Sequence, residues 1–154
     1  YAADMAKDLL IRKGVLAGII NASGDLTTWG KQPNGQAWQV GVKNPLNKDK
    51  IFSWFSLDNR AVVTSGNYEK YILINDKRYS HIINPKTGMP SQGIRSVSVF
   101  APKAELADAL ATSIFVMGVD EGLYFVNQIA TVACIIVADN GKIHYSNNIE
   151  NEIK

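Results

Sequence analysis

The sequence predicts an α+β domain built on a largely antiparallel sheet with flanking helices. Three observations lead there. Short runs of alternating or continuous apolar residues recur between turn-forming residues over most of the chain. Helical spacing is confined to the N-terminus and to residues 106–129. The elements follow in the order αβββββββ-loop-βααββ, without the strand–helix alternation of a parallel sheet. The 154 residues are 46% hydrophobic and 19% charged, which suits one domain with a sizeable core.

Tyr1, Met5 and Leu9 recur every four residues, with Leu10 beside Leu9 and Ala2, Ala3 and Ala6 between them. This spacing predicts an amphipathic helix ending near Gly14. Val15 to Asn21 reads as a buried strand, broken by Ser23-Gly24-Asp25, and Leu26 to Trp29 resumes extended structure. Pro33-Asn34-Gly35 marks a turn. Trp38, Val40 and Val42 alternate with polar residues or glycine up to Asn44-Pro45, and Ile51 to Leu57 alternates again before Asp58-Asn59. Arg60 to Ser65 is the next strand. Tyr68 to Ile74 and Arg78 to Ile83 flank Asn75-Asp76-Lys77 as a hairpin. Pro85 and Pro90 bound a stiff loop, and residues 96–100 form a strand ended by Pro102. Leu106 to Gly118 and Asp120 to Ile129 are helices. Ala133 to Ala138 and Lys142 to Tyr145 flank Asp139-Asn140-Gly141 as a second hairpin.

Net charge is +2, with both signs interspersed. No basic block suggests nucleic acid and no acidic tail suggests a disordered arm. No apolar run has the length of a membrane-spanning helix. The single cysteine, Cys134, lies in Thr131-Val132-Ala133-Cys134-Ile135-Ile136-Val137 and reads as core packing. Nothing at the N-terminus resembles a signal peptide. The chain opens at Tyr1 directly in the helical pattern, which points to a processed, trimmed or cleaved start.

Polar groups interrupt the apolar pattern at four places. Asp108 and Thr112 lie four residues apart in an otherwise apolar helix, so they share one face. They admit two readings. Asp108 can favour the helix dipole while Thr112 bonds back to the preceding turn; or carboxylate and hydroxyl together hold a hard cation beside phosphates. Asn21-Ala22-Ser23-Gly24-Asp25 is a small-residue turn at a strand end, either ordinary or suited to bringing backbone N–H groups to an anion. Thr64-Ser65-Gly66-Asn67-Tyr68 closes another strand and can cap a turn or line a phosphate pocket. His81 opens the proline-bounded loop, as a structural side chain or as a general acid or base. His144 reads as a surface residue. Zinc spacing, a Gly-x-Ser-x-Gly elbow, a Walker loop and a dinucleotide fingerprint are all absent from the sequence.

In this order the segments Asn21-Ala22-Ser23-Gly24-Asp25, Thr64-Ser65-Gly66-Asn67-Tyr68, His81-Ile82-Ile83-Asn84-Pro85-Lys86-Thr87-Gly88-Met89-Pro90, Ala107-Asp108-Ala109-Leu110-Ala111-Thr112 and Val116-Met117-Gly118 resemble the ApbE-type FAD:protein FMN transferases. Each motif is weak alone; together they cover nearly the whole chain. The resemblance implies an ApbE-like, T-fold-related α+β domain. It implies an enzyme that uses Mg²⁺ and takes FAD as substrate, attaches FMN through a phosphoester to a Thr or Ser of a target flavoprotein, and releases AMP. Redox-driven ion-pump subunits are examples of such acceptors. It makes Asp108 and Thr112 metal ligands and His81 the catalytic histidine. FAD contacts are implied at Asp4, Ser23, Gly24, Asp25, Ser65, Gly66, Thr87 and Gly88. Asn84 stands where the family often has Asp, and Ser23 where it more often has Gly.

Relatives carry a longer N-terminal half, ending in a Lys-Gly-Tyr segment before a helix like the first one here. The expectation is therefore that residues 1–154 form the C-terminal portion of a single domain, incomplete at its N-terminus, with an apolar flank that pairs with the missing half or with a second copy. By resemblance the parent protein is bacterial, membrane-anchored as a lipoprotein, and periplasmic or on the cell surface. Two other functions share the motifs: an FAD pyrophosphatase giving FMN and AMP, and a flavin-binding module without catalysis.

Overall fold

The computed structural model describes residues 1–44, 47–67, 71–75 and 77–152. Pro45, Tyr68 and Asp76, each part of a turn or strand expected from sequence, lie outside them. Helix α1 spans Ala2–Arg12. Strands β1 (Gly18–Ala22), β2 (Asp25–Trp29), β3 (Trp38–Asn44), β4 (Asn47–Leu57), β5 (Ala61–Gly66), β6 (Tyr71–Ile74), β7 (Lys77–Ser80) and β8 (Ile94–Ala101) follow. Helices α2 (Ala104–Met117) and α3 (Val119–Val126) precede β9 (Ala133–Ala138), β10 (Ile143–Tyr145) and a 3₁₀ turn at Asn147–Asn151. The order of helices and strands is the one the sequence predicts.

Six strands form one sheet in the order β1-β2-β5-β8-β9-β10, and every pairing is antiparallel. β3 pairs only with β4 and β6 only with β7 among the described residues. The register sorts side chains between two faces. Val63, Val99 and Cys134 oppose one another and join Val97 and Ile136 under Ala107, Leu110, Ala111, Ile114 and Phe115 of α2. Val62, Phe100 and Ala133 oppose one another on the other face, with Ile135, and meet Val40, Val42, Phe55 and Leu57 of the β3–β4 ribbon. Phe55 and Phe100 pack at a ring-centroid distance of 4.8 Å. Because both faces are covered, β9 reads as a continuous apolar run and is buried throughout. Each large side chain so buried is worth about 1.5–3 kcal/mol over leaving it in water. Cys134 is core, as expected: burial pushes its thiol pKa up to about 12.

Four local expectations change. The buried strand expected over Val15 to Asn21 is the edge strand β1, Gly18–Ala22, none of whose residues is fully buried. The Tyr1–Met5–Leu9 stripe of α1 faces outward, and the helix docks instead through Ala3, which is 1% exposed. A small residue there lets α1 lie close to its neighbours. The second strand of the hairpin, β7, ends at Ser80, short of the expected Ile83, and Tyr71 to Ile74 of β6 are all exposed. His144, expected at the surface, is half-buried in β10 opposite Ile136. No helix among the described residues is long and apolar enough to cross a membrane.

Candidate functional site

Helix α2 is the scaffold of the site. Its inner face is Ala104, Ala107, Leu110, Ala111 and Ile114, largely alanine, so the helix lies close on β5 and β8. Asp108 and Thr112 stay exposed on the outer side. Of the two readings of Thr112, back-bonding to the helix is not what is found. Thr112 Oγ1 lies 3.1 Å from Ser65 Oγ, at the end of β5. The hydroxyl that does return to the helix is Ser113 Oγ, which donates to the Ala109 carbonyl at 2.7 Å. One residue before Ser65, Thr64 Oγ1 lies 2.8 Å from Ser98 Oγ on β8. Asn67 Nδ2 donates to the Ile94 carbonyl at 3.1 Å and fixes the strand end.

The turn between β1 and β2 brings in the second group. Ala22 pairs with Asp25, leaving Ser23 and Gly24 as a two-residue turn with φ of 58° and 108°. Positive φ at both central positions matches the right-handed twist of a hairpin. Glycine is at ease there; serine is held by the pairing around it. The Gly24 N–H donates to Asn21 Oδ1 at 2.8 Å. Burial first, then the nearby Asp108 carboxylate, push the Asp25 carboxyl pKa above its ordinary value. The Asp4 carboxylate pushes it the same way. Asp25, Asp108 and Asp4 thus share one local field, although Asp4 comes from α1. Both oxygens of Asp4 are engaged with α2: the Ala104 N–H donates to Oδ1 at 3.0 Å and the Glu105 N–H to Oδ2 at 2.9 Å.

The histidine loop forms the third group. Ile82 is buried and anchors it, and Ile83 bridges to Pro90. Inside it, Asn84 organises the turn. Its Oδ1 accepts from the Lys86 N–H at 2.9 Å, its carbonyl from the Gly88 N–H at 2.9 Å, and its own N–H donates to the Met89 carbonyl at 2.8 Å. The stiffness expected from two prolines is therefore carried largely by Asn84. Asn accepts through Oδ1 as Asp would, so the neutral variant keeps the turn. His81, Thr87 and Gly88 are exposed. Thr87 Oγ1 accepts from the Met89 N–H at 3.2 Å, and Gly88 has a φ of 68°.

A cleft of about 640 Å³ runs between this loop and the helices. Ile83, Asn84, Pro85 and Lys86 line one wall; Ala109, Thr112, Ser113, Val116, Met117 and Glu121 line the other. Thr112 belongs both to the cleft and to the Ser65 contact. The structure thus joins Asp108, Thr112, Ser65, Asp25 and Asp4 around α2, with the histidine loop across the cleft. His81, Thr87 and Gly88 do not line the cleft. The sequence motifs include Met117, in Val116-Met117-Gly118, but neither Ser113 nor Glu121. The stripe Ala109, Ser113, Met117, each four residues on, was the available signal.

Among the described residues, no three His, Cys, Asp or Glu side chains form a metal-holding group. Mg²⁺ commonly takes only one or two protein carboxylates, with phosphate and water oxygens completing the octahedron. Asp108 and Thr112 offer hard oxygens one turn apart with Ser65 beside them. The charge crowding at Asp25 is of the kind a divalent cation relieves. The residues present fit such an ion.

A model of the ApbE family matches residues 1–136. The FAD:protein FMN transferase of Rhodobacter capsulatus is 32% identical over 142 residues, 92% of this chain and 27% of that protein. Its namesake in Haemophilus influenzae is 31% identical over 153 residues, 96% of this chain and 44% of that protein. The crystal structure of the ApbE protein of Thermotoga maritima superposes with a TM-score of 0.91 at 33% identity, covering 100% of this chain and 50% of that one. The apo flavinyl transferase ApbE of Pseudomonas stutzeri gives 0.85 at 27% identity, covering 99% and 48%. The chain spans less than half the length of these curated relatives. With sequence and fold in agreement, the chain belongs to the ApbE family.

Proposed function

We propose that the protein carrying this chain is a Mg²⁺-dependent FAD:protein FMN transferase. The acceptor's Thr or Ser hydroxyl attacks the FMN-side phosphorus of FAD. A new phosphoester O–P bond forms, the pyrophosphate P–O bond breaks, and AMP leaves with the bridging oxygen. The observation that carries this reading is the convergence of Asp108, Thr112 and Ser65 on α2, beside the loop cleft, in a chain of this family. When bound, Mg²⁺ neutralises pyrophosphate charge and stabilises the charge that develops on the leaving group.

The chain's own groups do the rest by position. Asp108 and Thr112 hold the metal from one helix face, and Ser65 Oγ orients the Thr112 hydroxyl. The turn at Ser23, Gly24 and Asp25, the strand end at Ser65 and Gly66, and the loop tip at Thr87 and Gly88 hold the nucleotide. His81 accepts the proton of the attacking hydroxyl. A second reading, FAD hydrolysis to FMN and AMP, uses the same residues with water as the attacking group. The exposure of Asp108 and Thr112 favours it, since water reaches them freely.

We infer further that residues 1–154 are the C-terminal portion of one ApbE-like domain. The greater length of the relatives supports this, as does the bare apolar flank at Met5, Leu9, Leu16 and Ile19. A periplasmic or cell-surface, membrane-anchored parent remains part of the reading, and fractionating cells that make the parent protein tests it. Asp108→Ala in that protein is expected to lower AMP release from FAD by at least about a hundredfold, the scale of losing one aligned electrostatic group. AMP release within threefold of wild type would remove Asp108 from the metal site.

A further inference from the structure

We propose that Asp4 is a positioning residue: its carboxylate, carried on α1, caps α2 and so sets where Asp108 and Thr112 stand. The proposal rests on the reading above, in which the polar face of α2 is the working face. Helix α2 has no cap of its own. Lys103 occupies the capping position with φ −131° and ψ 143° and makes no side-chain bond to the helix. The first amides of a helix have no partner inside it. Here two of them, on Ala104 and Glu105, donate to the two oxygens of Asp4 at 3.0 and 2.9 Å, across a hundred residues of chain.

Asp4 is itself held in place. Its neighbour Ala3 is buried in the same core cluster as Ala104 and Ala107. One turn further along α1, Lys7 Nζ donates to the Thr28 carbonyl on β2 at 2.9 Å. The cap is therefore a tie between α2 and a helix docked on the sheet. Asp108 lies four residues beyond Ala104, so tilt or fraying at the first turn moves it directly. Thr112 lies one turn further on, where the 3.1 Å contact with Ser65 reports any shift. With one α2 amide on each oxygen, Asp4 acts on the site through the helix.

The test uses the whole protein that carries this chain, amide hydrogen exchange by NMR, and Mn²⁺ titration followed by EPR. Asp4→Ala is expected to speed exchange about tenfold through residues 104–112 and to weaken Mn²⁺ binding about tenfold, the scale of a lost helix cap. Adding Lys103→Ser, which gives α2 a cap from its own chain, is expected to restore both to within about threefold of wild type. Faster exchange confined to Ala104 and Glu105 would overturn the proposal. So would Mn²⁺ binding that Lys103→Ser fails to restore while exchange recovers, since Asp4 would then be a direct contact. If the wild-type protein binds no Mn²⁺, the metal reading fails, and the exchange profile still decides the role of Asp4. Should Asp4→Ala not fold, Asp4→Asn keeps one acceptor oxygen and is expected to fall between the two; wild-type exchange in it would contradict the proposal.

Discussion

Asp25 carries the tension of the site in a single carboxyl. Burial and the neighbouring Asp108 charge raise its pKa in the folded protein. The folded state then binds this proton more tightly than the unfolded state, so the residue's contribution grows more favourable as pH falls through the folded pKa. Above that pKa the ionised carboxylate is a standing cost. Asp25→Asn is expected to raise the melting temperature at pH 7, with the gap closing as pH falls through the folded pKa. A gap that widens on acidification would reverse this assignment. The pair Asp108 and Thr112 was legible in sequence, because an i, i+4 spacing fixes a shared face without any tertiary information. The partner of Thr112 was not. Ser65 lies 47 residues away, and only the packing of α2 on β5 brings the two hydroxyls together. Asp4 was equally opaque in its role, although the absence of Ser, Thr, Asp or Asn at Lys103 already signalled a helix that must be capped from elsewhere.

Helices α2 and α3 meet through a glycine. A Cβ at Gly122 would stand 2.7 Å from Cγ2 of Ile114, a branched side chain fully buried against the sheet. Gly122→Ala gains up to about 1 kcal/mol of helix propensity. The overpacking it forces costs about 1–3 kcal/mol. The net expectation is a loss of up to about 2 kcal/mol in denaturant unfolding, and a stabilised variant would show that the two helices separate at little cost. At this scale the chain reads well from sequence. Turn residues and period changes located every helix and strand in order, since those signals are local. Facing was harder. The apolar stripe Tyr1, Met5, Leu9 looks outward because the buried side of α1 needs small residues where it crosses close neighbours, and small residues leave little periodic signal. In β6 an apolar run stands exposed, and none of its described residues joins the core clusters.

The sheet order β1-β2-β5-β8-β9-β10 depends on pairings that skip elements, so no local pattern specifies it. Its consequence is the site: β5 ends at Ser65 and Gly66 beneath α2, and the edge strand β1 leads into the turn that carries Asp25. A second bare apolar surface, besides β6, lies around α1 and β1 among the described residues. Leu16 is 90% exposed, with Leu9 at 51%, Met5 at 44% and Ile19 at 40% on α1, β1 and the link between them. Bare apolar surface of this kind drives association. The isolated chain is expected to self-associate at tens of micromolar in light scattering, and a monomer at every concentration would show that this flank needs no cover. One measurement meets the proposed chemistry directly: the parent protein incubated with FAD, Mg²⁺ and an acceptor flavoprotein, followed by intact mass and nucleotide analysis. The acceptor is expected to gain the mass of one FMN less one water, as a phosphoester, while an equal amount of AMP appears. AMP with free FMN and an unmodified acceptor would make the protein a pyrophosphatase, and FAD bound with neither product would contradict the proposed catalysis outright.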